Sequence, residues 1–150
     1  MILNTLKPSV EQINPRVVEC GLRVLELKRG YVKCLLPEDR QPAGGFSKAI
    51  LRELMEAPAT ALFHGSFNTV RFEAEPLEID LKLGQPPEGD VTVELTMKEA
   101  IISRLTAEAE IRGRTEMVLE AVLRDEDART VARYRGVFEM RQAGERVSAA

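Results

Sequence analysis

The sequence predicts an α+β fold in which one antiparallel sheet of five to six strands wraps around one central helix. Three observations carry this. Beyond Pro76 the chain alternates apolar and polar residues with period two, segment after segment. The connections between those segments are too short for a parallel crossover, which needs a dozen or more residues. Between this block and an earlier hairpin lies one stretch rich in helix formers.

The elements follow in chain order. Residues 21–27 and 31–36 read as a hairpin around Lys28, Arg29 and Gly30, and Pro37 ends it. Gly44 and Gly45 lead into a helix from Phe46 to about Phe63, which Pro58 either ends near Ala57 or kinks. Leu77, Ile79, Leu81 and Leu83 then alternate with Glu78, Asp80 and Lys82 as a half-buried strand. The same pattern returns in Val91, Val93, Leu95 and Met97, in Leu105, Ala107, Ala109 and Ile111, in Met117, Leu119, Ala121 and Leu123, and in Ala132, Tyr134, Gly136, Phe138 and Met140. Residues 99–103 fit a bulge, a bend or a loop. The residues up to about Val18 read as a short helix, and the tail from Gln142 as a frayed end.

At 150 residues the chain is expected to be one domain, residues 1–150, large enough to bury its own core. With 44% hydrophobic and 30% charged residues it fits neither a disordered chain nor a membrane protein. No run approaches the roughly 20 apolar residues of a membrane span, and the start has neither a basic nor an apolar leader region. A cytoplasmic protein with no membrane partner is the expectation. Net charge is −3 and the basic residues are interleaved with acidic ones, which argues against nucleic acid as the main partner. Cys20 and Cys34 sit in apolar segments and read as buried thiols; with one histidine in the chain, no metal site is expected.

Within the predicted helix, Lys48, Arg52 and Glu56 fall on one stripe at 100° per residue and read as solvated or ion-paired. Glu53 stands beyond that stripe, beside the apolar side formed by Phe46, Ile50 and Ala57, so its carboxylate is either half-buried or pointed into a site. His64, the sole histidine, follows the helix as a candidate base or hydrogen-bond donor, and Asn68 is a candidate for orienting water or a carbonyl. Ser47 and Ser66 lack the strand-turn-helix context of a nucleophilic serine. Arg112, Gly113, Arg114 and Thr115 read as a basic turn between two strands.

Gly21-Leu22-Arg23-Val24 opening the first strand, Gly44-Gly45 entering the helix, and the run LTAEAEIRGRTEMVLEAVLRDEDARTVARYRGVFEM to Met140 together resemble the hotdog superfamily, and most closely its phenylacetate-type acyl-CoA thioesterases. The resemblance implies a helix wrapped by a sheet, and a homodimer or dimer of dimers with active sites at the subunit interface. It implies hydrolysis of an acyl-CoA to free acid and CoA, with CoA entering as part of the substrate and no further cofactor. The thioester would lie beside the helix N-terminus, where free N–H groups and the helix dipole suit a developing oxyanion. In that frame the N–H groups of Gly45 and Phe46 are the oxyanion donors. Glu53 is the general base or nucleophile, with Glu56 the fallback carboxylate. The Arg112 to Thr115 turn lies near the CoA phosphates. Three departures stand out: Ala43 occupies the family's histidine position, residues 68–75 are surplus in the connection after the helix, and only the register counted from Gly45 places Glu53 at the family's acidic position. These departures keep open a non-catalytic hotdog module that binds acyl-CoA. A dehydratase-type lyase would want a His plus Asp arrangement that the sequence does not offer.

Overall fold

The computed structural model describes residues 21–143. Strands β1 (Arg23–Lys28) and β2 (Tyr31–Leu36) form the predicted hairpin, followed by a single 3-10 turn, Glu38–Arg40. Next come helix α1 (Lys48–Ser66), strands β3 (Phe72–Leu83) and β4 (Val91–Thr96), helix α2 (Glu99–Arg112), and strands β5 (Arg114–Arg124) and β6 (Thr130–Gln142). The six strands make one sheet in the order β1-β2-β4-β5-β6-β3, with every neighbouring pair antiparallel. The sheet curls around α1, which packs on β1, β2, β3 and β4. Cys20 and the helix predicted up to Val18 lie outside the described residues. So does most of the tail, although β6 carries Gln142 in regular pairing with Phe72.

Helix α1 begins two residues later than Phe46 because Ser47 caps it, its hydroxyl accepting the Ile50 N–H at 3.2 Å. Pro58 does not end the helix, which runs on to Ser66. An interior proline costs about 3 kcal/mol. Beyond it the helix buries Ala59, Ala61, Leu62 and Phe63, and each large apolar side chain contributes about 1.5–3 kcal/mol. His64 therefore stands in the last turn of α1 rather than in a loop.

The principal correction concerns residues 99–112, which form a second helix and not a bulge followed by a strand. The buried residues are Ile102, Leu105 and Ala109, spaced i, i+3, i+7, whereas Ala107 is exposed and Ile111 is 83% exposed. Both periods can be read in these residues, and the composition decides between them. Leu, Ala, Glu and Arg are strong helix formers, and between Leu105 and Ile111 the one β-branched residue is Thr106. Gly113, at φ 86°, is the left-handed C-cap of α2 with its N–H on the Ala109 carbonyl, so the Arg112 to Thr115 segment joins a helix to a strand.

The connection from α1 to β3 is shorter than predicted. Asn68 folds it: its Oδ1 accepts the N–H groups of Val70 and Arg71, and its carbonyl accepts those of Arg71 and Phe72. Residues 72–75 then pair with β6, so half of the supposed surplus is strand. Leu77 is the extra residue of a bulge between Pro76 and Glu78, which leaves it 54% exposed while Ile79 and Leu81 keep the inner face. Pro76 is tolerated because β3 is an edge strand.

Cys34 is fully buried, and burial pushes its thiol up to about 12, as expected of a small core hydrophobe. Asp125, at the acidic turn before β6, is buried too. Burial alone would push its carboxyl up, but the N–H groups of Glu88, Arg129 and Asp127 and the charge of Arg129 outweigh that and hold it below the ordinary range.

The hairpin tip is tied to both helices. Arg29 grips Glu99 of α2 with Nε and Nη2 at 2.8 and 2.9 Å, and its Nη1 donates to the Ser66 carbonyl of α1 at 3.1 Å. The Gly30 N–H donates to Ser66 Oγ, and its carbonyl accepts the Met97 N–H. Gly30 is at φ 76°, and a Cβ there would meet the Met97 carbonyl oxygen at 2.5 Å, so only glycine fits.

Candidate active site

The seam between α1 and edge strand β3 holds three hollows in succession. At the N-terminal end of α1, Gly44, Gly45 and Phe46 face Leu83, Gly84 and Pro87 across a cavity of ≈ 240 Å³. Gly45 sits at φ 83°, and its N–H donates to the Pro42 carbonyl at 3.0 Å, closing the turn that enters the helix. That N–H is engaged within the chain, which leaves the Phe46 N–H as the other donor of the predicted pair.

The middle hollow is an open groove of ≈ 620 Å³ lined by Lys48, Ile50, Arg52 and Glu53 of α1 and by Ile79, Asp80 and Leu81 of β3. Glu53 is exposed in this groove, with an apolar wall beside it and the Lys48 and Arg52 cations on the same rim. Arg52 and Ile79 are shared with the third hollow, so the groove opens directly into it.

The third hollow is a more enclosed, mostly apolar cavity of ≈ 230 Å³. Arg52, Glu56, Ala59, Thr60 and Phe63 line it from α1, Ala74, Pro76 and Ile79 from β3, Met117 from β5, and Tyr134 and Phe138 from β6. Gly136 lies between those two aromatic residues on the inner face of β6. A Cβ there would meet Tyr134 Oη at 2.5 Å and Phe138 Cε1 at 2.8 Å, so the missing side chain is what lets the Tyr134 ring lie along the strand. Tyr134 is only 4% exposed, and its hydroxyl makes no hydrogen bond among the described residues. Burial pushes it up to about 12; Arg52 works against this shift and Glu56 with it.

The remaining predicted residues lie elsewhere. His64 is half-buried with its ring edge-on to Phe63, and burial holds it below the ordinary imidazole range. Neither His64 nor Asn68 lines the three hollows. Arg112, Arg114 and Thr115 frame a shallow depression of ≈ 490 Å³ together with Glu116 and Glu139. There Arg114 stands 3.9 Å from Glu139, and the Thr115 hydroxyl donates to Glu108 at 2.7 Å. Arg114 pairs with Arg141, three residues along β6 from Phe138, and the alternation of β5 turns Arg114 and Glu116 to the exposed face of the sheet, away from Met117 and the enclosed cavity. The structure thus brings Glu53 and Glu56 into adjoining hollows and sets the arginines outside that seam, at the start of β5. The sequence reading missed Tyr134 and Gly136. The signal was present: a residue with a polar tip, followed by a glycine, on the buried face of an alternating strand.

Among the described residues no His, Cys, Asp or Glu cluster is arranged to hold a metal ion, and no helix is long and apolar enough to cross a membrane. No protein-family model and no curated protein matches the sequence. Solved structures do. A Pseudomonas aeruginosa protein of unknown function, described as a probable thioesterase, is 31% identical over 93% of this chain and 95% of its own, with a TM-score of 0.82. A second P. aeruginosa protein, a thioesterase solved as a mutant, is 16% identical over 93% of this chain and 94% of its own, with a TM-score of 0.68. A thioesterase from Staphylococcus aureus, also a mutant, is 16% identical over 85% of this chain and 99% of its own, at 0.61. The latter two share the fold alone; the first is similar in sequence along nearly its whole length, and by that likeness the chain belongs to the hotdog-fold, thioesterase-like proteins.

Proposed function

We propose that the protein hydrolyses an acyl-CoA thioester to a free acid and CoA. The observation that supports this best is the junction of two hollows at Arg52 and Ile79, where a groove carrying the Glu53 carboxylate opens into an enclosed apolar cavity. An acyl group in the cavity sets its thioester at the junction, beside Glu53. Glu53 takes a proton from water as the water oxygen attacks the carbonyl carbon. The tetrahedral intermediate then expels the CoA sulfur, which receives that proton. The likeness to a probable thioesterase points to the same chemistry. Arg112 and Arg114, in the depression where α2 meets β5, supply cations for the CoA phosphates.

A thiol-release assay over a panel of short, long and aromatic acyl-CoAs tests the proposal. Release above background with at least one member is expected. A second reading, a module that binds acyl-CoA without turning it over, draws on Ala43 and on the engaged Gly45 N–H. It takes over if no panel member releases thiol while CoA itself raises the melting temperature.

The same proposal includes self-association through β3. This strand of 12 residues lies at the edge of the sheet and exposes Leu77 and Leu83, the kind of edge that pairing with a second copy would cover. Light scattering at micromolar concentration is expected to give a dimer or a multiple of it, and a monomer would remove this part of the reading.

A further inference from the structure

We propose that Tyr134 is a catalytic residue of this site, its hydroxyl donating a hydrogen bond to the thioester carbonyl oxygen as negative charge develops there. The inference rests on the hydrolase reading above and adds a group that the sequence did not single out. Tyr134 is almost fully buried, yet its hydroxyl has no partner among the described residues. The hydroxyl is not sealed off in the core: it stays accessible, and its side chain lines the cavity. The ring is laid along β6 over Gly136, whose lack of a side chain makes room for the hydroxyl. Gly136 pairs with Ile79, and Ile79 is the wall that the groove and the cavity share. The hydroxyl therefore stands at the level of the junction, with Glu53 on the groove side and itself on the cavity side. A thioester lodged at that junction has a base at one flank and a donor at the other. The engaged Gly45 N–H leaves a place for such a donor. Burial keeps the phenol protonated through the neutral range, so it donates without giving up its proton. When water attacks, the carbonyl π pair moves onto oxygen and is held by Tyr134 Oη–H until the intermediate collapses and the sulfur leaves.

The test compares wild type, Tyr134→Phe and Gly136→Ala in two measurements. In steady-state hydrolysis of the best acyl-CoA of the panel, Tyr134→Phe should lower kcat by about 10²-fold, the scale for loss of one oxyanion donor, with KM within about twofold. Gly136→Ala, whose Cβ would displace the hydroxyl, should lower kcat as well. In binding, wild type should hold hexanoyl-CoA with its sulfur replaced by methylene, which keeps the carbonyl, about 5- to 10-fold tighter than S-hexyl-CoA, which lacks it. Tyr134→Phe should erase that preference while leaving the affinity for S-hexyl-CoA and the melting temperature nearly unchanged. Full kcat in Tyr134→Phe, or a carbonyl preference that survives the substitution, overturns the assignment. If wild type hydrolyses nothing, the hydrolase reading fails by itself, and the analogue pair still decides whether Tyr134 receives a carbonyl.

Discussion

Exchanging Glu53 for Gln is expected to lower thioester turnover by roughly 10²-fold or more, the loss that accompanies removal of a general base. The substitution keeps the shape of the side chain and removes its charge. Because Glu53 is exposed in the groove, stability should move by no more than about 0.5 kcal/mol, so the loss can be read as chemistry. Glu56→Gln is the matched control. It lies one turn along α1, on the wall of the enclosed cavity and not in the groove, and its effect on kcat should be only a few-fold. Steady-state kinetics on both variants with a single acyl-CoA decides the matter. If Glu56→Gln is the crippled variant, the reacting carbonyl sits one helical turn deeper than the groove. If neither matters in an active enzyme, the carboxylate mechanism falls and His64 becomes the next residue to exchange.

Leu105→Ala should destabilise the fold by about 2–5 kcal/mol, the range for truncating a well-packed core leucine. That corresponds to a fall in melting temperature of roughly 10 °C for a chain of this size. Leu105 is 1% exposed, on the buried face of α2. Ile111→Ala should be nearly silent, within about 0.5 kcal/mol, since that side chain is 83% exposed. An alternating strand would place both residues on one buried face, whereas a helix turns them about 120° apart. Thermal or urea denaturation of the two variants therefore separates the helix from the strand directly, and equal losses would contradict α2.

The same pair of residues shows where the sequence was legible. Strands β4, β5 and β6 could be read because one face of each is buried and the other is wet, which writes period two into the chain. Helix α2 was obscured because its small, charged-rich composition scatters alanines over both faces, and Leu105, Ala107, Ala109 and Ile111 mimic alternation by accident of spacing. The groove was half legible. Glu53 could be singled out from α1 alone, since its neighbours on the helix fix its direction. Tyr134 could not, because its role depends on which residue of β3 lies opposite Gly136 and on the space that glycine leaves. Strand register and close packing decide both, and neither is local in sequence.

The knot at Arg29 and Gly30 bears on motion. The Arg29 to Glu99 ion pair is exposed and by itself is worth at most about 1 kcal/mol. The bonds from Arg29 and Gly30 to Ser66, and from Met97 to Gly30, nevertheless make the end of α1, the approach to α2 and the hairpin tip share partners. The hairpin tip cannot open without breaking its bonds to both the others. The three should therefore exchange their amide hydrogens together, while the first turn of α1, where Lys48, Ala49 and Ile50 are exposed ahead of the buried Leu51, should exchange sooner.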